Sequence, residues 1–240
     1  MKMRAGSSVW AGYAQPLART ETVMPNPYKL LVFDWDGTLM DSTAVITQSI
    51  QAACRDLGLP VPSDVDASYV IGLGLGDALR HAAPTLDPRD YDKLSQVYRR
   101  HYFAHDNDLT LFPGALDMLL ALKAAGHSLA VATGKSRVGL DRALDHADLR
   151  GLFDTTRTAD ETASKPHPAM LLEIMQELDD APGSTLMIGD TTHDLLMARN
   201  AGTAAVGVAY GAHDAQQLAD LQPVFLADSV PALQRFLLGV

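Results

Sequence analysis

The chain has 240 residues, 47% of them hydrophobic and 20% charged, and a net charge of −10. That composition excludes a wholly disordered chain and gives length for one large domain, or one domain with a smaller insertion, without disulfide staples. The acidic balance argues against nucleic acid or an anionic membrane as partner, yet leaves room for a small phosphorylated metabolite, because a local cation reverses the field inside one pocket.

Residues 1–26 read as a loose tail. Lys2, Arg4 and Arg19 surround AGSSVWAGYAQPLA, in which Val9, Trp10 and Leu17 are too scattered for the apolar block of a signal peptide. Met24 is an alternative start, since ordered patterning begins at Lys29. The single cysteine, Cys54, has no internal partner, and no run approaches the ~18 apolar residues of a membrane span. A cytoplasmic location is the expectation.

The run KLLVF (29–33) predicts a buried strand that ends at Asp34. After a turn-like DGT, Ser42 and Thr43 are candidate caps for a helix over Ala44–Leu57. Residues 60–112 carry helical spacing punctuated by Pro60, Pro62, Pro84 and Pro88 and show no strand, so 43–111 reads as an inserted all-helical unit. Its clearest helix runs from about Pro88 to Phe103. Residues 27–42 and 112–240 then form the core. In that second stretch a helix (Gly114–Ala125) stacks Leu116, Leu119 and Leu120, and the strand SLAVAT ends at Thr133. A helix over Val138–His146, a weak strand FDTTRT, a helix over Pro168–Leu178 and the strand TLMIG before Asp190 follow. A helix at 193–200, strands at 204–208 and near Pro223–Leu226, and a helix at 230–238 close the chain. Strands alternating with helices predict an α/β fold: a doubly wound, Rossmann-like parallel sheet with the small helical unit inserted.

Three of the apolar runs end in polar residues, at Asp34, Thr133 and Asp190. Ligands of open α/β sheets bind beyond the carboxyl ends of the strands, so these ends are expected to build one site. Asp34 and Asp36 lie two apart in DWDGT, where Gly37 permits a sharp turn. Asp190 and Asp194, in GDTTHD, sit one helical turn apart. Four clustered carboxylates repel one another unless a hard divalent ion such as Mg²⁺ lies among them. Lys165, followed by Pro166 and Pro168 in SKPHP, and Thr133 with Gly134 each have a plain reading as loop charge and turn when taken singly. Taken together with the acids, they are parts suited to a phosphoryl group.

With these motifs in order, the chain from about Lys29 onward resembles the haloacid dehalogenase superfamily, in the branch with a helical cap after the first strand. Asp34–Thr38 is similar to its DxDGT motif, Thr133 to its strand-end hydroxyl, Lys165 to its lysine, and Gly189–Asp194 to its GDxxxD. The resemblance implies Asp34 as nucleophile forming an aspartyl-phosphate and Asp36 as acid and then base. It implies Mg²⁺ held by the Asp34 carboxylate, the Asp36 carbonyl and Asp190. It implies Thr133, Gly134 and Lys165 around the phosphoryl oxygens, and Asp194 orienting Lys165 or a metal-bound water. Asp36 separates the chain from dehalogenases and phosphonate-cleaving members. Thr38 and Ile46 stand where the mutases of the branch carry a valine and a histidine. The nearest likeness is to phosphoglycolate phosphatases, with a mutase, a pyrophosphatase or a non-catalytic binding module as the alternatives.

The glycine-rich IGLGLGD (71–77) lacks the spacing and strand of a dinucleotide fingerprint and reads as a turn overhanging the site. Arg80 and His81 read as solvated helix charges. His167, His193, and His101 with His105 are not expected to hold a metal, because oxygen ligands dominate and no HExxH pattern is present. Hinges of the helical unit are expected near Ser42–Thr43 and Leu111–Pro113.

Overall fold

The strand predicted before Asp34 forms as β1 (Leu30–Phe33), wholly buried and flanked by strands on both sides. A computed structural model describes residues 27–240, so the expected tail over 1–26 lies outside the described residues. The other strands are β2 (Ser128–Thr133), β3 (Thr155–Thr158), β4 (Thr185–Gly189), β5 (Ala204–Val208) and β6 (Phe225–Ala227). All pair in parallel, in the order β3-β2-β1-β4-β5-β6.

Ten α-helices accompany the strands among the described residues. They are α1 (Thr43–Asp56), α2 (Asp64–Tyr69), α3 (Leu75–Ala82), α4 (Tyr91–Phe103), α5 (Ala115–Ala124), α6 (Arg137–His146), α7 (Ala169–Glu177), α8 (Thr192–Ala201), α9 (Ala215–Ala219) and α10 (Val230–Leu238). Period-two alternation divides the strands between two faces. Leu31, Phe33, Val131 and Ile188 pack with α5, α6 and α10, while Leu30, Val32, Ala130 and Met187 pack with α7 and α8. Burying each large side chain here contributes roughly 1.5–3 kcal/mol.

Helices α1–α4 carry apolar clusters of their own. Ile46, Ile50, Val70 and Ile71 form one, and Ala53, Cys54, Leu79 and Leu94 the other. The two segments joining them to the sheet run side by side: Phe112 N–H donates to the Leu39 carbonyl at 2.9 Å, and Asp41 N–H to that of Thr110 at 3.0 Å.

Three local expectations need correction. Leu116 and Leu120 of α5 are 41% and 50% exposed, whereas Ala115, Met118, Leu119 and Leu122 face the sheet. The three-leucine stripe was misphased because a helix this apolar has no single hydrophobic face. Short α9 was not anticipated; Asp214 caps it by accepting from Gln216 N–H. In IGLGLGD, Gly72 and Gly74 lie in the turn, but Gly76 is already inside α3.

Candidate active site

Chain direction switches between β1 and β4, because the segment after β1 crosses to β2 while β4 lies on the other flank. Register places Phe33 beside both Val131 and Ile188, so the carboxyl ends of β2, β1 and β4 open side by side. Asp34, Thr133 and Asp190 sit at those ends, as the three apolar runs implied.

Asp34 is fully buried, and its Oδ2 has no hydrogen-bond partner. Lys165 Nζ lies 2.7 Å from Asp34 Oδ1 and 2.6 Å from Asp194 Oδ1, with all three side chains out of solvent. Asp194 Oδ2 accepts from Thr191 N–H at 3.1 Å and Thr191 Oγ1 at 2.7 Å. Thr191 in turn caps α8 by a reciprocal capping box. Asp190 Oδ1 accepts from Thr38 Oγ1 at 2.9 Å and its Oδ2 from Ala212 N–H at 2.7 Å. Two glycines make room for that carboxyl: a Cβ at Gly37 or Gly211 would lie 2.1 or 2.2 Å from an Asp190 atom.

The charges do not balance. Oxygens of Asp34, Asp190 and Asp194 lie within 4.8 Å of one another, against one ammonium. Burial pushes Asp34 well above the carboxylate range, with Lys165 opposing and Asp194 and Asp190 adding to the rise. Burial, then the Asp194 charge, pushes Asp190 up to about 7. Burial alone would lower the Lys165 ammonium, but Asp194 and Asp34 outweigh it and raise it. A divalent cation bound by hard oxygens fits this cluster: an unpartnered carboxylate oxygen and excess negative charge both favour it. Asp190 and Asp194 each have a partner on both oxygens, and Asp34 Oδ2 is the unpartnered oxygen of the three carboxyls.

The Asp36 side chain faces away from this cluster. Its Oδ1 takes Ser42 Oγ at 2.7 Å and Lys135 Nζ at 3.0 Å. Lys135 was missed by sequence reasoning, although it follows Thr133-Gly134 directly; its N–H donates to Thr133 Oγ1 at 3.2 Å. Ser42, expected as a helix cap, occupies that position but makes no side-chain cap bond. Lys135 Nζ also donates to Tyr102 Oη of α4 at 2.8 Å, and the Tyr102 ring stacks on Tyr98.

A cavity of about 400 Å³ lies between the helical unit and the strand ends, lined among others by Asp36, Lys135, Tyr98, Arg80, Ile46 and Ser164. The glycine-rich turn overhangs the site as expected. A Cβ on Gly134 would stand 2.3 Å from the Leu73 carbonyl oxygen, so this glycine lets the turn settle on the core. The unit is held nearby by two histidines. His193 Nε2 at 2.8 Å and His213 Nε2 at 3.0 Å both reach the Tyr69 carbonyl, and His213 Nδ1 accepts from Thr192 N–H. Burial lowers the pKa of both imidazoles. Neither belongs to the carboxylate cluster, and His167 is exposed. His101 pairs with Asp56 at 2.8 Å, and Arg80 with Asp77 at 2.7 Å on an exposed helix face.

Among the described residues no helix is long and apolar enough to cross a membrane. The family model for haloacid dehalogenase-like hydrolases matches residues 31–208. "Probable phosphatase IndB" of Dickeya dadantii is 39% identical over 83% of this chain and 89% of its own length. A phosphoglycolate phosphatase of Vibrio vulnificus is 30% identical over 85% of this chain and 94% of its own. The crystal structure of a haloacid dehalogenase-like hydrolase from Bacteroides fragilis superposes with a TM-score of 0.79 at 26% identity, covering 86% of this chain and 99% of that one. With its motifs gathered at one sheet edge and the family model spanning β1 to β5, the chain belongs to the haloacid dehalogenase-like hydrolases.

Proposed function

We propose that this enzyme is a Mg²⁺-dependent phosphatase, similar to phosphoglycolate phosphatases, that hydrolyses a small phosphorylated metabolite through an aspartyl-phosphate. The observation that carries the reading is Asp34, buried with one oxygen paired to Lys165 and the other unpartnered at the switch point of the sheet. The acidic composition and the likeness to metabolite phosphatases make nucleic acid and membrane poor candidates as partners. Cytoplasmic placement suits a chain with one buried cysteine.

The ion would be held by the Asp34 carboxylate, the Asp36 carbonyl and Asp190, and when bound it offsets the repulsion between a carboxylate and an anionic phosphoryl group. Asp34 attacks phosphorus, and the bond to the leaving oxygen breaks. The Asp36 carboxyl gives that oxygen its proton, releasing an alcohol. Asp36, now a carboxylate, takes a proton from water. The water oxygen attacks phosphorus, freeing phosphate and restoring Asp34. Lys165, held by Asp194, and Thr133 with the Gly134 amide would bind the phosphoryl oxygens. The helices over 43–111 act in this reading as a cap, whose cavity admits the leaving group.

The test is a panel of phosphorylated metabolites with free phosphate measured in Mg²⁺ and in EDTA. Phosphate release that EDTA abolishes is expected. An isomeric phosphate ester in place of free phosphate would identify a mutase, and a flat response across the panel would overturn the reading in favour of a binding module.

A further inference from the structure

We infer that Lys135 and Tyr102 are positioning residues for Asp36, so that the acid is aimed correctly only when the cap is seated; this rests on the phosphatase reading above. Tyr102 Oη, on α4 of the helical unit, lies 2.8 Å from Lys135 Nζ, and that Nζ lies 3.0 Å from Asp36 Oδ1. Ser42 Oγ meets the same oxygen at 2.7 Å, from the segment that leads into α1. Both contacts fall on Oδ1, which leaves Oδ2 as the oxygen available to the leaving group in the cavity that Asp36 lines.

The arrangement is specific. The side chains of Lys135 and Asp36 are each 9% exposed, so the contact from the ammonium to Oδ1 is shielded and directional, and it leaves Oδ2 to carry the proton in the first half-reaction. Lys135 also lies 4.8 Å from the centre of the Tyr102 ring. Tyr102 stacks on Tyr98, which lines the same cavity. Lys135 comes from the loop after β2, Asp36 from the loop after β1, and Tyr102 from α4. The chain Tyr102–Lys135–Asp36 therefore crosses from cap to core, and lifting α4 away removes one of the two polar partners of the ammonium. Lys165 is already committed to Asp34 and Asp194, which leaves Lys135 for Asp36.

The role is separable from phosphoryl binding by the choice of leaving group. In the first half-reaction Asp34 forms its bond to phosphorus, the phosphorus–oxygen bond to the leaving group breaks, and the Asp36 proton moves to that oxygen. An alkoxide needs the proton; p-nitrophenolate departs largely without it. The experiment measures the first turnover of an alkyl phosphate and of p-nitrophenyl phosphate at saturation in wild type, Lys135→Met, Lys135→Arg, Tyr102→Phe and the Lys135→Met/Tyr102→Phe double variant. Lys135→Met is expected to slow alkyl release roughly 10- to 100-fold, part of the ~10²–10⁴-fold that a positioned acid supplies, with KM little changed. The nitrophenolate burst stays within about threefold of wild type, a pattern that general-acid loss predicts. Tyr102→Phe has a smaller effect of the same kind, the double variant is no slower than Lys135→Met, and Lys135→Arg recovers part of the rate. Equal loss on both esters, a rise in KM alone, additive single effects, or no effect overturns the inference while leaving the phosphatase reading in place. A wild type that releases neither alcohol overturns the phosphatase reading, and this inference with it.

Discussion

Asp190 shares the cost of the site with Asp34, since burial raises the pKa of both carboxyls. Burial and the Asp194 charge raise that of Asp190 from 3.8 to about 7, so between those values the native state keeps a proton that the unfolded chain has released. The unfolded state then binds fewer protons, and stability falls as pH rises through that window in the absence of a divalent ion. A bound cation takes the place of the proton. Mg²⁺ should therefore raise the melting temperature more at pH 8 than at pH 5. At 100 times Kd the gain is about 2.7 kcal/mol, or roughly 5–10 °C for a chain of this size. Calorimetry in Mg²⁺ and in EDTA at the two pH values checks this, and an equal shift at both would contradict it. Gly134 gives a second prediction at this scale. Its backbone has an ordinary φ, so Gly134→Ala acts by contact alone, driving a Cβ to within 2.3 Å of the Leu73 carbonyl oxygen. Turnover should fall up to about 10²-fold through a displaced turn, while thermal denaturation shows the core intact.

Among the elements, α8 joins the site to the sheet. Thr191 caps the helix and holds Asp194, which in turn holds Lys165. Thr191→Ala should cost about 1–2 kcal/mol in denaturant unfolding and lower kcat as well, because Lys165 loses its fixed support. A change in stability with kcat untouched would break the link between cap and catalysis. The same element shows what the sequence made legible. A strand, a glycine and two acids one turn apart fix Asp190 and Asp194 by local geometry, and the ends of β1 and β2 were readable for the same reason. Lys135 was not, since its partners Asp36 and Tyr102 come from other segments and a lysine after a turn has no local signature. Nor were His193 and His213, whose shared acceptor is the Tyr69 carbonyl, a backbone group invisible to side-chain patterning. On α5 the phase failed because nearly every position is apolar, so composition carried no directional information.

Taken whole, the molecule sets a helical unit over the one edge of the sheet where three strand ends meet. Near the site it meets the core through Tyr69 with two histidines, Tyr102 with Lys135, Gly74 with Ser164, and the turn against Gly134. In the proposed reaction the core would hold the phosphoryl-handling groups, while residues of the helical unit supply most of the cavity wall that would meet the leaving group. Changes confined to Tyr98, Ile46 or Ile50 should alter which ester is preferred, with the reactivity of Asp34 retained; kcat/KM across the metabolite panel measures the change, and a uniform loss on every ester would contradict it. The central claim is that Asp34 carries the phosphoryl group. Acid-quenching the Mg²⁺-loaded enzyme during turnover of a phosphorus-labelled ester, then mapping the label by peptide, tests it most directly. Label on the peptide containing Asp34 in wild type, with both label and turnover lost in Asp34→Asn by about 10⁴-fold or more, is the predicted result. Undiminished phosphate release by Asp34→Asn, or label on a peptide without Asp34, would contradict it.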